Sequence, residues 1–255
     1  MLIGAHVPTE GALEAAEELG ADCLQMFLGD PQSFKAPPLP PDAEGLKATE
    51  LPIYIHAPYR LNIASPNNRI RIPARKLLAQ TLSRAEELGA AGVIVHGGHA
   101  EDGVERGFMR WRKVFEEATS KVPIVLENTA GGDNAMTRHV DALAGLWAFL
   151  EEFEPHFCFD TCHAHAAGEN LADVVERTLQ VTGRIDVVHA NNSRDDFGSG
   201  RDRHANFGDG RIHSEDIVAM TAQAGAPAVI CETAWPGIAD DLSLLRSWLG
   251  SEASR

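Results

Sequence analysis

Six apolar runs in this chain end in a side chain that an apolar strand does not need: IYIH at His56, VIVH at His96, IVLE at Glu127, FCFD at Asp160, VVH at His189 and VICE at Glu232. Imidazole nitrogens and carboxylate oxygens are ligands for divalent cations. Gathered in one place without such cations, the carboxylates would repel one another and be costly to desolvate. Beside these ends stand His163, in FCFDTCHAHAAG, and Asp202 and His204, in GSGRDRHANFGDG. Nine nitrogen and oxygen donors without sulfur exceed the four that one tetrahedral ion uses, so the set points to a cluster of two or three ions. Asp202 and His204 carry the weakest local signal, because RDRH alone reads as a solvated charged loop; the Gly and Asn around it allow it to fold back over the strand ends.

Strand and helix patterns alternate from end to end, as a parallel sheet wrapped by helices requires. Strands are expected at LIGAH, DCLQMF, IYIH, VIVH, VPIVLE, FCFD, DVVHA and AVICE. Helical patterns fill the intervals: ALEAAEEL, a stretch from about residue 74 to a stop at Gly89, 108–118, 140–153, one opening near Asn170 with Asp173 three residues on, 214–224, and LSLLRSWL at the end. The interval after DCLQMF holds instead a Pro-rich connector at 37–41, and eight strands alternating with helices predict a (β/α)8 TIM barrel of α/β class, a single domain over residues 1–255. In that fold the site lies at the C-terminal ends of the strands, where six of eight carry a ligand-type residue and the first ends in His6. An open doubly wound sheet would string those ends along a line, which makes convergence harder.

The composition is that of an ordinary globular protein, 44% hydrophobic and 23% charged. No basic start followed by an apolar run marks a secretory signal, and no apolar stretch is long enough for a bilayer, so a cytoplasmic protein without membrane contact is expected. Cys23, Cys158, Cys162 and Cys231 form no CxxC pair and read as small buried hydrophobes. A formal charge of −15 argues against a protein that coats nucleic acid non-specifically, although three divalent ions would bring it to −9. One segment runs against that balance: residues 60–76 carry Arg60, Arg69, Arg71, Arg75 and Lys76 and no acid.

The runs IYIHAPY, VIVHGGH, VLENTAGG, FDTCHAHAAG, VVHANNS, GSGRDRHANFGDG and ICET, in this order and spacing, resemble the endonuclease IV family of metal-dependent apurinic/apyrimidinic DNA endonucleases over nearly the whole length. The resemblance implies a trinuclear Zn2+ site, open to partial substitution by other divalent metals, with the nine residues as ligands. Glu127 would bridge two ions, His56 and His96 completing one and Asp160, His189 and Glu232 the other, while His163, Asp202 and His204 hold the third. It implies a monomer acting on double-stranded DNA, with incision 5′ to an abasic site by a bridging hydroxide. The products would be a 3′-hydroxyl and a 5′ deoxyribose phosphate, and removal of 3′ blocking groups would be a second activity. DNA contacts are expected from Tyr59, Arg60, Gln32 and Arg203. His6 and His99 would support ligands through hydrogen bonds, and His165 would be a supporting or groove residue, not a tenth ligand. Two departures bear on how the duplex is gripped: Arg60 stands where an apolar residue is usual, and GDPQSF (29–34) replaces a more basic, amide-rich run.

A mononuclear sugar isomerase or epimerase on the same barrel would use only Glu127, Asp160, His189 and Glu232, leaving five of the nine without a role. A damage-binding protein without catalysis would need a disabled ligand set, and all nine positions are intact.

Overall fold

The computed structural model describes residues 1–252. The strands are β1 (Leu2–His6), β2 (Leu24–Met26), β3 (Ile53–His56), β4 (Gly92–His96), β5 (Ile124–Glu127), β6 (His156–Asp160), β7 (Val187–His189), the two-residue β8 (Asn192–Ser193) and β9 (His204–Ala205), and β10 (Ala228–Cys231). All but β8 and β9 close into a parallel barrel in the order β1, β10, β7, β6, β5, β4, β3, β2. The expected TIM barrel is therefore the observed fold. β8 and β9 form an antiparallel pair inside the long loop after β7.

Side chains alternate along a strand, so one residue in two faces the barrel axis. The lower inward positions form a packed plug of Cys23, Tyr54, Ile94, Val125, Cys158, Val187, Ala228 and Ile230. Gly92 lies beside Tyr54 and Val125, where an added Cβ would come within 2.9 Å of the Val125 methyl. Two residues further along each strand, the inward positions are His6, Gln25, His56, His96, Glu127, Asp160, His189 and, just past the end of β10, Glu232. Register confirms the tier: His6 pairs with Gln25, His96 with Glu127, and Asp160 with His189. One alternation thus stacks a polar ring on an apolar plug.

The helices are α1 (Ala12–Glu18), α2 (Ala43–Ala48), α3 (Asn68–Leu88), α4 (Val104–Glu117), α5 (Val140–Leu150), α6 (Thr161–Ala167), α7 (Val174–Thr182), α8 (Ser214–Ala224) and α9 (Ile238–Glu252). Their apolar faces cover the barrel, as in α4, which buries Phe108, Trp111 and Val114; each such large side chain contributes about 1.5–3 kcal/mol on burial. Gly145 lets α5 approach α4, since a Cβ there would lie 2.6 Å from the Phe108 ring.

Several boundaries differ from expectation. α3 begins at Asn68, not near residue 74, because the Asn67 side chain caps it by accepting from Arg69 N at 2.9 Å and Pro73 is accommodated early in the helix. α7 opens at Val174, while Asn170 forms the preceding turn, its side chain donating to Asp173 at 2.9 Å. α4 and α9 start earlier than their strongest apolar patterns, and α2 and α6 were not expected. No helix among the described residues is long and apolar enough to cross a membrane.

Candidate metal centre

The polar ring converges on Glu127, which is buried at the end of β5. Its two oxygens face different partners. Oε2 lies 3.2 Å from His56 Nε2 and 3.2 Å from His96 Nε2, whereas Oε1 lies 2.9 Å from His189 Nδ1 and 3.3 Å from His163 Nδ1. Continuing around the mouth, His189 Nδ1 is 3.3 Å from Glu232 Oε2 and 3.9 Å from Asp160 Oδ2.

His163 comes from α6, which starts directly at the strand end because Asp160 is its N-cap: Asp160 Oδ1 accepts from His163 N at 2.6 Å. One carboxylate thereby ends a strand, opens a helix and aims a second donor into the site. The long loop brings the rest. Its backbone is tied to α6 by Gly198 N and Gly200 N, which donate to the carbonyls of His165 and Ala166 at 3.0 and 2.8 Å, and Asp195 grips Arg203 and Arg201. Asp202 Oδ1 then lies 3.1 Å from His163 Nε2 and 3.2 Å from His204 Nε2. The predicted fold-back of this loop is observed.

All nine residues fall into four overlapping groups whose donor atoms lie within 4.8 Å of one another: His56, Glu127 and His189; His96, His163 and Asp202; Asp160, His163 and His204; and Glu127, Asp160, His189 and Glu232. His163 Nε2 and His204 Nε2 are buried without a hydrogen-bond partner, although Asp202 is close to both. That combination is the geometry of donors facing a common centre instead of each other. Zinc bonds of about 2.0–2.1 Å at a tetrahedral angle separate ligand atoms by roughly 3.3 Å, which matches the contacts across this site. The donor set fits divalent cations.

The electrostatics agree. Burial works to raise Glu127, but the His189 and His96 rings, with hydrogen bonds from His163 and His189, hold its carboxyl well below the usual range. Burial works against charge on His163 as well, yet Asp160 and Asp202 hold its imidazole well above its ordinary value; against the same burial, the adjacent Asp202 carboxylate and the charge of Asp160 push His204 up to about 9. Four carboxylates therefore create a negative potential that calls for positive charge at their centre.

Several supporting residues escaped the sequence reading. Gln25 Nε2 donates to Glu232 Oε1 at 2.6 Å, and its Oε1 lies 2.8 Å from His189 Nε2. Asn191 Nδ2 donates to Asp160 Oδ2 at 2.7 Å and to Glu232 Oε2 at 3.2 Å. Asn128 brackets Asp160 through its backbone N and O, and its own carbonyl lies 2.8 Å from His163 Nδ1. Asn128 and Asn191 stand one and two residues past a strand-end donor, a signal that was available; Gln25 within DCLQMF gave none.

Among the expected supports, His6 Nδ1 lies 3.5 Å from Glu232 Oε1. His99 does not reach the nine: its ring lies 3.4 Å from Asn62 Nδ2 and 3.7 Å from Glu101. The cause is Gly98, whose φ of 70° turns the chain away from the strand direction. His165 is no member of the groups either, its Nε2 lying 3.2 Å from the Asp195 carbonyl. The four cysteines are free and buried, and burial pushes the thiols of Cys23, Cys158 and Cys162 up to about 12.

A cleft of about 960 Å³ opens over the centre, walled by Phe27, Tyr59, Arg194, Arg203 and Trp235 among others. Tyr59 is 49% exposed and meets Phe27 edge-on. Gln32 is exposed next to Pro31, which lines the same cleft. The two arginines expected to meet DNA have partners within the protein: Arg203 pairs with Asp195, and Arg60 bonds to the Gln32 carbonyl. Arg71 and Arg75 of the basic segment are likewise engaged, with Ser65 and Glu117.

Fold and site together define a TIM-barrel enzyme with a histidine and carboxylate centre at the strand ends. Residues 13–248 match the family model described as a xylose isomerase-like TIM barrel. The chain is 56% identical over 248 residues to the probable endonuclease 4 of Mycobacterium leprae, covering 96% of this chain and 98% of that one. It is 55% identical over 253 residues to that of Mycobacterium tuberculosis, covering 98% and 100%. The crystal structure of endonuclease IV from Thermus thermophilus superposes with a TM-score of 0.86 at 30% identity, covering 98% of this chain and 100% of that chain. A D-tagatose 3-epimerase-like protein, with a TM-score of 0.78 at 20% identity and 99% of this chain covered, shares the fold. The chain belongs to the endonuclease IV family of metal-dependent phosphodiesterases.

Proposed function

We propose that this protein cleaves double-stranded DNA on the 5′ side of an abasic site, leaving a 3′-hydroxyl and a 5′ deoxyribose phosphate. The nine residues would hold up to three zinc ions for this purpose, within a single barrel domain acting as a monomer. The observation that carries the reading is the division of Glu127, one oxygen toward His56 and His96 and the other toward His189, as a carboxylate shared between two ions would be divided. In this assignment Asp160 and Glu232 join His189, and His163, Asp202 and His204 form the third set. Bound ions would neutralise the phosphodiester, lower the pKa of a water to about 7 and stabilise the leaving oxygen.

The chain's own part is to orient. Gln25 and Asn191 fix the carboxylates of Asp160 and Glu232, so that their remaining lone pairs point inward. Tyr59, half-exposed on the cleft wall, would enter the gap of a missing base, where unstacking is least costly. The same site would also remove 3′ blocking groups joined to the DNA end through a phosphate ester.

The test is elemental analysis paired with incision of a duplex carrying one abasic site. Two or three ions per chain and a single cut 5′ to the lesion are expected. One ion per chain without cleavage would favour a sugar isomerase or epimerase, while tight binding of the duplex without cleavage, metal supplied, would favour a damage-binding protein.

A further inference from the structure

The two departures noted in the sequence, Arg60 and residues 29–34, meet in space. Arg60 Nη1 donates to the Gln32 carbonyl at 2.9 Å, and its guanidinium lies over the Phe34 ring, 5.2 Å from the centroid. Within residues 29–36 the other hydrogen bonds are local: Gln32 N to Asp30 Oδ1, Ser33 N to the Asp30 carbonyl, and Lys35 N to Ser33 Oγ. Among the described residues, the Arg60 bond is the one hydrogen bond that joins this loop to a distant part of the chain. Beneath the loop is a cavity of about 360 Å³ that reaches from Ser33 and Lys35 to His56, Leu77 and Thr81. The loop spans this cavity, and Arg60 is the side chain that ties its middle to the segment carrying Tyr59.

We propose that Arg60 is a positioning residue that clamps this loop to the segment carrying Tyr59, setting the width of one wall of the cleft, and that it is not a phosphate contact. Stacking on Phe34 satisfies one face of the guanidinium and the Gln32 carbonyl takes one of its donors, both inside the protein. The two departures are then one device, an arginine and an aromatic ring that hold the loop from within the protein. This inference rests on abasic DNA as the substrate, but its first test does not.

Trypsin cleavage after the exposed Lys35 reports the loop directly in free protein. Arg60→Ala and Phe34→Ala are each expected to speed that cut about 3- to 10-fold, the double variant no more than either, and Arg69→Ala not at all. In binding to an abasic duplex, both single variants should raise the Kd and KM several-fold with kcat held. The slope of log K against log salt should stay unchanged; loss of a phosphate contact would reduce it by about 1. Unchanged proteolysis at Lys35, additive effects in the double variant, or a reduced salt slope in Arg60→Ala would overturn the clamp. Failure of the unaltered protein to incise would instead overturn the substrate, leaving the proteolysis result intact.

Discussion

Glu127 concentrates the chemistry of the site in one side chain, because among the described residues it alone touches four imidazoles. Replacing it with Gln keeps the shape but removes the charge that two ions would share. Incision by Glu127→Gln should therefore fall by about a hundred-fold or more with the near-UV circular dichroism of the fold unchanged, measured under single-turnover conditions. Asn191→Ala should act at one remove. It leaves Asp160 Oδ2 without that donor and the Glu232 amide without an acceptor, so metal affinity should drop about 10- to 100-fold in a competition titration. Six of the nine donors were legible because an imidazole or carboxylate at the end of an apolar run has no structural reason to be there; His163 stood beside one such end, and Asp202 and His204 lay in a charged loop whose place over the site only the fold makes plain. Gln25 was not legible, because its meaning depends on Glu232, 207 residues away in the chain.

Strands were read more securely than helices, and the reason is physical. An inward apolar plug imposes short Val- and Ile-rich runs that announce themselves, whereas α6 has no apolar stripe and opens without a loop. Its existence follows from one cap, Asp160, that looked only like a strand-end ligand. The first turns of α3 were hidden by Pro73, a residue that ordinarily ends helices. At the opposite end of the barrel, Asp186 ties β6 to the start of β7, accepting from Phe157 N at 2.9 Å and pairing with His156 and Arg184. Burial works to raise its pKa, but the His156 hydrogen bond, the Phe157 amide and Arg184 lower it in the folded state. A lowered folded pKa contributes stability that is present above the unfolded value of about 3.9 and disappears as pH falls through the folded one. Asp186→Asn should therefore destabilise the protein at neutral pH, and the gap in urea midpoint between variant and parent should close in acid.

For the molecule as a whole, a net charge of −15 is an odd endowment for a partner of DNA, and the partnered arginines at the cleft make it more so. The resolution is that the positive charge a phosphate meets would be carried by the centre itself. A chelator should consequently lower the Tm and abolish DNA binding together, and added zinc should restore both.

The plug under the polar ring adds a last consequence. With Tyr54, Ile94, Val125, Cys158, Val187 and Ile230 filling the barrel, the centre is closed from below, and whatever leaves must pass through the mouth at the strand ends. A duplex lying across that mouth would be a stopper, trapping ions behind it. Zinc loss to excess chelator, followed by a colorimetric indicator, should slow several-fold when abasic duplex is bound; equal rates with and without it would reveal a back exit that the packed barrel does not provide.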